Sequence, residues 1–208
     1  MIANIRVLPT GGPRGEEAMD KKGDISDRKE IDHDPIRTFK SEHRETLRKS
    51  ETAKHALRSL QGLSENPVPE RLGGEQTRLR DLVISLGREI CLHFQKEEEA
   101  LFPVLEEYIG KEHGPIEVML HEHEEIRSAF RDWEKMVVDL CETTEPRQEG
   151  MLKAVMASGD EAIRLYHQHV SKENQILYKI TEASLSAEEK RTVAERIKSI
   201  DIRRAGSG

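Results

Sequence analysis

Histidine and glutamate recur in this chain at a spacing that suits the capture of a cation. His93 and Glu97 stand four positions apart, and so do His169 and Glu173. On an α-helix, residues four apart are offset by about 40° and rise about 6 Å, so each pair aims at one point. Two more histidines, His43 and His123, precede these pairs by 50 and 46 positions. Mixed imidazole and carboxylate ligation suits iron, manganese or zinc, and the lack of thiolate in the pattern argues against a structural zinc. Two carboxylates that can each bridge suit two metals better than one. With both bridging, each metal has two imidazoles and two carboxylate oxygens. A shared oxo or hydroxo group makes five ligands, leaving one octahedral position per metal for a small ligand.

The helices that must carry these residues are legible as apolar stripes. The first runs Ile36, Phe39, His43, Thr46/Leu47, Ser50, Ala53, Leu57, Leu60, after an N-cap at Asp34-Pro35, and ends near Gly62. The second runs Leu79, Leu82/Val83, Leu86, Ile90, His93, Glu97, Leu101, Leu105, Tyr108, with Gly73-Gly74 in the connection before it. Pro103 is expected to kink or end its last turn. The third follows Gly114-Pro115 as Ile116, Met119/Leu120, His123, Ile126, Phe130, Trp133, Val137, Leu140. The fourth follows the break at Thr143 to Pro146 and runs Met151/Leu152, Val155, Gly159, Ala162, Tyr166, His169, Glu173, Ile176, Ile180. Each keeps a period of about 3.6 residues.

All six candidate ligands lie in register with leucines and isoleucines. Burying an ionised Glu costs several kcal/mol unless it is paired, and no Lys or Arg shares those stripe positions. A metal centre supplies the missing charge. His121 and His167 stand about 200° round from the stripe histidines and are expected in solvent, as are His33 and His113. His55 is off the His43 direction. Glu98 and Glu99 read as a solvated face, with Glu98 near the edge of the site. Tyr166 reads as core packing, Cys91 points away, and no dedicated proton donor is apparent.

The predicted architecture is all-α: an up-down-up-down four-helix bundle with a short fifth helix and a disordered N-terminal leader. Residues 1–33 are read as the mobile leader, within which Met19 is an alternative start, and 34–182 as the bundle. Residues 183–208 hold the short C-terminal helix and tail. The pair Ser186 and Glu189 forms a capping box that opens the fifth helix, expected to reach about Ile200.

Composition excludes several classes. The 33 basic and 40 acidic residues leave a formal charge of −7, so no basic excess exists to neutralise nucleic-acid phosphates. No apolar run is long enough for a membrane span. The start, MIANIRVLPTGG, lacks a sustained apolar core and a small-residue cleavage site, so export is not expected, and two cysteines, Cys91 and Cys141, do not make a disulfide framework. A cytoplasmic location is the expectation.

The chain resembles the hemerythrin-like (HHE cation-binding) domain family from about Ile36 to Ile180. The resemblance is carried by Ser41-Glu42-His43, by His93 to Glu97 with Leu101-Phe102-Pro103, by Leu120 to Arg127, and by His169 to Glu173. It implies a non-haem diiron centre within a four-helix bundle, with His43, His93, His123 and His169 as ligands and Glu97 and Glu173 bridging. Members bind dioxygen or nitric oxide, sense oxygen or iron, react with peroxide, or serve in iron–sulfur centre repair.

Oxygen-carrying members add a fifth histidine, and no other histidine here stands on a stripe. Dioxygen is therefore expected to oxidise a diferrous centre rather than dissociate. The repair proteins share this ligand set more closely and typically add a cysteine-bearing N-terminal domain, whereas residues 1–33 hold no cysteine.

The expected function is binding or reduction of a small diatomic or peroxide ligand at two iron ions, in sensing or stress defence; manganese or zinc is less favoured. The alternatives are an iron-responsive or structural bundle without catalysis and a role in iron–sulfur repair, so enzymatic turnover is left open. A ferritin-like oxidase is disfavoured, because that fold uses Glu-x-x-His rather than His-x-x-x-Glu.

Overall fold

The structure, a computed structural model, describes residues 34–65, 69–110, 114–143 and 148–206. Asp34 starts the first helix: its Oδ1 accepts the Ile36 N–H at 3.1 Å, and Pro35, lacking an N–H, takes the first helical position. Helix α1 is Pro35–Glu65, and α2 is Pro69–Lys96. A π-helical turn, Glu97–Leu101, continues α2 into α3, Phe102–Ile109. Helix α4 is Pro115–Glu142, and α5 is Gln148–Lys172. A second π turn, Glu173–Leu177, continues α5 into α6, Tyr178–Ser184; α7 is Ala187–Ala205.

Helix α1 packs on α2, α2 on α4, α4 on α5 and α5 on α1, closing a four-rod ring. No strand occurs among the described residues, and among their helices none is long and apolar enough to cross a membrane. The predicted leader (1–33), with His33, lies outside the described residues, as do the connections at 66–68, 111–113 (with His113) and 144–147, and the last two residues.

Four expectations need correction. Gly73 and Gly74 lie inside α2 rather than before it; Leu72 packs against the core from that turn and offsets the helix cost of glycine. Pro103 does not end its rod: it stands in the first turn of α3, just past the π turn, where a missing N–H is tolerated, and the helix goes on to Ile109.

The second π turn also shifts the buried register by one residue, whereas past the first the expected Leu101 and Leu105 stay buried. Past Glu173 the buried side chains are Leu177, Tyr178 and Thr181, while Ile176, expected on the stripe, is 53% exposed. Past Glu97, Tyr108 is likewise 47% exposed. Finally, α7 extends to Ala205, beyond Ile200. It opens on the predicted box: Glu189 N–H donates to Ser186 Oγ, and Glu189 Oε2 accepts the Ser186 N–H at 2.8 Å.

The core is split into two apolar layers. One holds Leu57, Leu86, Ile90, Phe94, Ile126, Phe130, Trp133 and Tyr166. The other holds Ile36, Phe39, Leu101, Phe102, Met119 and Tyr178, and α7 adds Val193, Ile197 and Ile200 to it. The fifth helix is thus part of the core wall. The candidate ligands sit in register between these layers.

Candidate metal centre

One turn of each rod contributes to a buried polar slab: His43 from α1, His93 and Glu97 from α2 and its π turn, His123 from α4, and His169 and Glu173 from α5 and its π turn. All six are buried. Ligand-type atoms of Glu97, His123, His169 and Glu173 lie within 4.8 Å of one another, and so do those of His43, His93 and Glu173. The structure therefore brings the six sequence-predicted residues to one place.

The imidazoles face inward through Nε2. His43 Nε2 lies 2.8 Å from His93 Nε2 and 3.0 Å from Glu173 Oε2. His169 Nε2 lies 3.0 Å from Glu173 Oε1, and His123 Nε2 lies 3.4 Å from Glu97 Oε2. Behind them, three Nδ1 atoms meet carboxylates: His93 to Glu42 at 2.8 Å, His123 to Glu98 at 2.6 Å and His169 to Glu122 at 3.0 Å. The fourth, His43 Nδ1, has the Asn174 side-chain amide at 3.5 Å. A carboxylate behind Nδ1 selects the tautomer that keeps its proton there and turns the Nε2 lone pair inward.

Such an interior is a set of acceptors facing acceptors. Glu97 Oε2, both Glu173 oxygens, His123 Nε2 and His169 Nε2 are buried and make no hydrogen bond. A cation is what this donor set fits, since only positive charge offsets buried carboxylates. Protonation shows the same pull. Burial opposes charge on His123, yet Glu173, Glu97 and Glu98 push its pKa up to about 10. Burial also opposes charge on Glu173, and His169, His123 and His43 hold it well below the ordinary carboxylate range.

The outer carboxylates are themselves anchored. Glu42 Oε1 accepts from Lys96 at 2.6 Å, Glu122 accepts from Lys172, and Glu98 takes both its oxygens to Arg127 at 2.9 and 3.0 Å. Burial would raise the pKa of Glu42, but His93 and Lys96 hold it below its ordinary value. Sequence reasoning saw Glu98 only as a solvated edge and passed over Glu42 and Glu122. The signal was present: Glu-His opens both halves at 42–43 and 122–123, and Lys-Glu closes both at 96–97 and 172–173.

Tyr178 was missed as well. Its buried hydroxyl donates to Glu97 Oε1 at 2.7 Å and lies 3.5 Å from His43 Nε2, and its ring stacks on His43 at 5.5 Å. In the other half Phe102 stacks on His123 at 5.7 Å. Both aromatics stand five residues after a candidate glutamate, about 140° round an α-helix. The π turn brings them back: the Phe102 and Tyr178 N–H groups bond the Glu97 and Glu173 carbonyls. The repeated pair Leu101-Phe102 and Leu177-Tyr178 was the available clue.

The remaining histidines among the described residues stay off the site. His121 is exposed, near Glu125, and His55 is exposed on α1. His167 is only half-exposed, because Ser50 Oγ lies 3.1 Å from its Nε2, contrary to the expectation of open solvent. Tyr166 is core, as expected, with its hydroxyl 2.5 Å from Thr46 Oγ1.

Comparison with known proteins places this geometry in context. The family model described as the hemerythrin HHE cation-binding domain matches residues 34–181. Among curated proteins, the chain is 36% identical over 97 residues to an iron-sulfur cluster repair protein YtfE of Edwardsiella ictaluri, covering 45% of this chain and 42% of that protein. It is 29% identical over 103 residues to proteins of the same name from Salmonella paratyphi B and Salmonella newport, covering 48% of this chain and 45% of each. The chain thus spans less than half the length of these relatives.

Proposed function

Since the chain belongs to the hemerythrin HHE cation-binding domain family, we propose that it is a non-haem diiron protein that binds or reduces a small ligand in sensing or stress defence. One iron position is assigned to His43 and His93 and the other to His123 and His169, with Glu97 and Glu173 shared. The ligand is dioxygen, nitric oxide or peroxide. The observation that carries this reading is the convergence of imidazole Nε2 atoms and carboxylate oxygens, several without hydrogen bonds, in a fully buried slab.

Bound iron would supply open coordination and electrons for a small ligand. The chain's own residues do the rest. Glu42, Glu98 and Glu122 hold three imidazole rings in plane and tautomer. Phe39, Phe94, Phe102 and Tyr178 wall the slab on both sides and exclude water. The Tyr178 O–H, bonded to Glu97 Oε1, holds a proton at the edge of the His43 half, a donor that the sequence did not disclose.

Two observations favour a second reading, a part in iron–sulfur cluster repair: the likeness to proteins called iron-sulfur cluster repair protein YtfE and the four-histidine, two-glutamate set. The free thiols Cys91 and Cys141 support a reducing compartment, which for this reading is the cytoplasm.

Metal analysis of protein made in iron-replete cells tests the premise. Near-stoichiometric iron, two per chain, is expected, and a repeated value of one zinc and no iron would reject it. Stopped-flow spectra of the reduced protein mixed with air, peroxide or nitric oxide then identify the ligand. Inertness to all three would reject the small-ligand reading and leave the repair role and the iron-responsive or structural bundle.

A further inference from the structure

The set His93, Glu42 and Lys96 in one half repeats as His169, Glu122 and Lys172 in the other, but the lysines differ. Lys172 pairs with Glu122 and has a side chain 48% exposed. Lys96 has a side chain only 6% exposed and spans two carboxylates: Glu42 Oε1 at 2.6 Å and, on the fifth helix, Asp201 Oδ1 at 2.8 Å. We infer that Asp201 is a positioning residue for His93, and that α7 thereby makes the two cation positions unequal, bracing the His43/His93 position and not the His123/His169 position. This inference rests on the two-cation reading above.

The chain of contacts is continuous. Asp201 fixes the Lys96 ammonium, which donates to one oxygen of Glu42 while the other oxygen accepts from His93 Nδ1. A carboxylate held at both oxygens has little freedom, so the plane of the His93 ring is held with it. Phe39 meets that ring edge-on at 5.4 Å. Helix α7 shares an apolar cluster with Ile36, Phe39 and Leu101 through Val193, Ile197 and Ile200. Arg203 of α7 also reaches Glu99, within the π turn that begins at Glu97, at 2.7 Å. In the other half, the half-exposed Lys172 can swing into water without breaking a buried contact.

The test uses the full chain loaded with Co2+ and mixed with excess EDTA. Wild-type protein should release the ion in two phases. Asp201→Ala should quicken one phase by about threefold to tenfold, at and below the lower end of the range for outer-shell changes, and leave the other phase unchanged. Asp201→Glu should restore that phase, and Glu122→Gln should quicken the other phase instead.

A second arm works on the metal-free chain. By proton NMR, exchange of the His93 Nδ1 proton with water should quicken in Asp201→Ala, while that of His169 stays as in wild type. Unchanged release phases, equal acceleration of both, or an unaltered His93 proton would overturn the inference. A wild-type chain that takes up no Co2+ would instead sink the two-cation reading, and the NMR arm would still decide the link from Asp201 to His93.

Discussion

Three of the four converging imidazoles give their outer nitrogen to a carboxylate, so the cluster interior is lined with lone pairs and negative oxygens. Replacing Glu173 removes a carboxylate that approaches His43, His123 and His169. Glu173→Ala is expected to lose at least one iron per chain. His121→Ala, altered on an exposed face, should keep the full complement, and a loss there would mean that the faces are wrongly assigned. Tyr178 gives a sharper test, because Phe102 occupies the matching place in the other half without a hydroxyl. Tyr178→Phe keeps the packing and strips Glu97 of a buried, charge-assisted hydrogen bond. It should cost about 1–3 kcal/mol in urea unfolding of the metal-free protein, whereas an unchanged midpoint would show that the bond contributes nothing.

At the scale of elements, the two π turns are the unusual feature. Each starts on a candidate bridging glutamate, yet only one precedes a proline, so Pro103 is not their common cause. What they share is the need to hold an aromatic and a glutamate on the same buried face. Such turns recur at functional sites because an i→i+5 bond is weaker than the regular ladder and persists where side-chain placement offsets it. Helix pairing imposes a second local demand at Gly159 of α5. A Cβ built there would stand 2.6 Å from Trp133 Cε2 on α4, so the glycine is a seat for the indole. Gly159→Ala should destabilise the fold by about 1–3 kcal/mol, read by urea unfolding through the helical circular-dichroism signal, which does not depend on Trp133. Trp133→Phe in the same background should recover part of the loss; no recovery would show that the strain lies elsewhere.

Across the whole molecule, two apolar layers clamp a slab that contains two buried carboxylates. Without a cation, that slab must take up protons or water, or open the helices, at a cost of several kcal/mol. For a chain of this size each kcal/mol moves the melting temperature by about 2–4 °C. Chelated protein should therefore melt on the order of 10 °C below the iron-loaded form in calorimetry. Equal melting temperatures would count against buried ligation. The fifth helix belongs to the same scale, since Val193, Ile197 and Ile200 complete the layer beside the His43/His93 half.

The four rods and the six converging residues were legible in the linear chain, because helical periodicity is local. Where His43, His93, Glu97, His123, His169 and Glu173 keep step with leucines, burial follows from a period of about 3.6 residues, and each His/Glu pair shares a face. Tertiary structure decided what that period cannot express. A π turn changes the step itself, so Tyr178 moved onto the buried face and Ile176 off it. Lys96 meets Asp201 across 105 positions (201 − 96), and Tyr178 meets Glu97 across 81. Such pairs depend on how rods are rotated and stacked, which is set by the summed packing of both apolar layers rather than by any window of sequence.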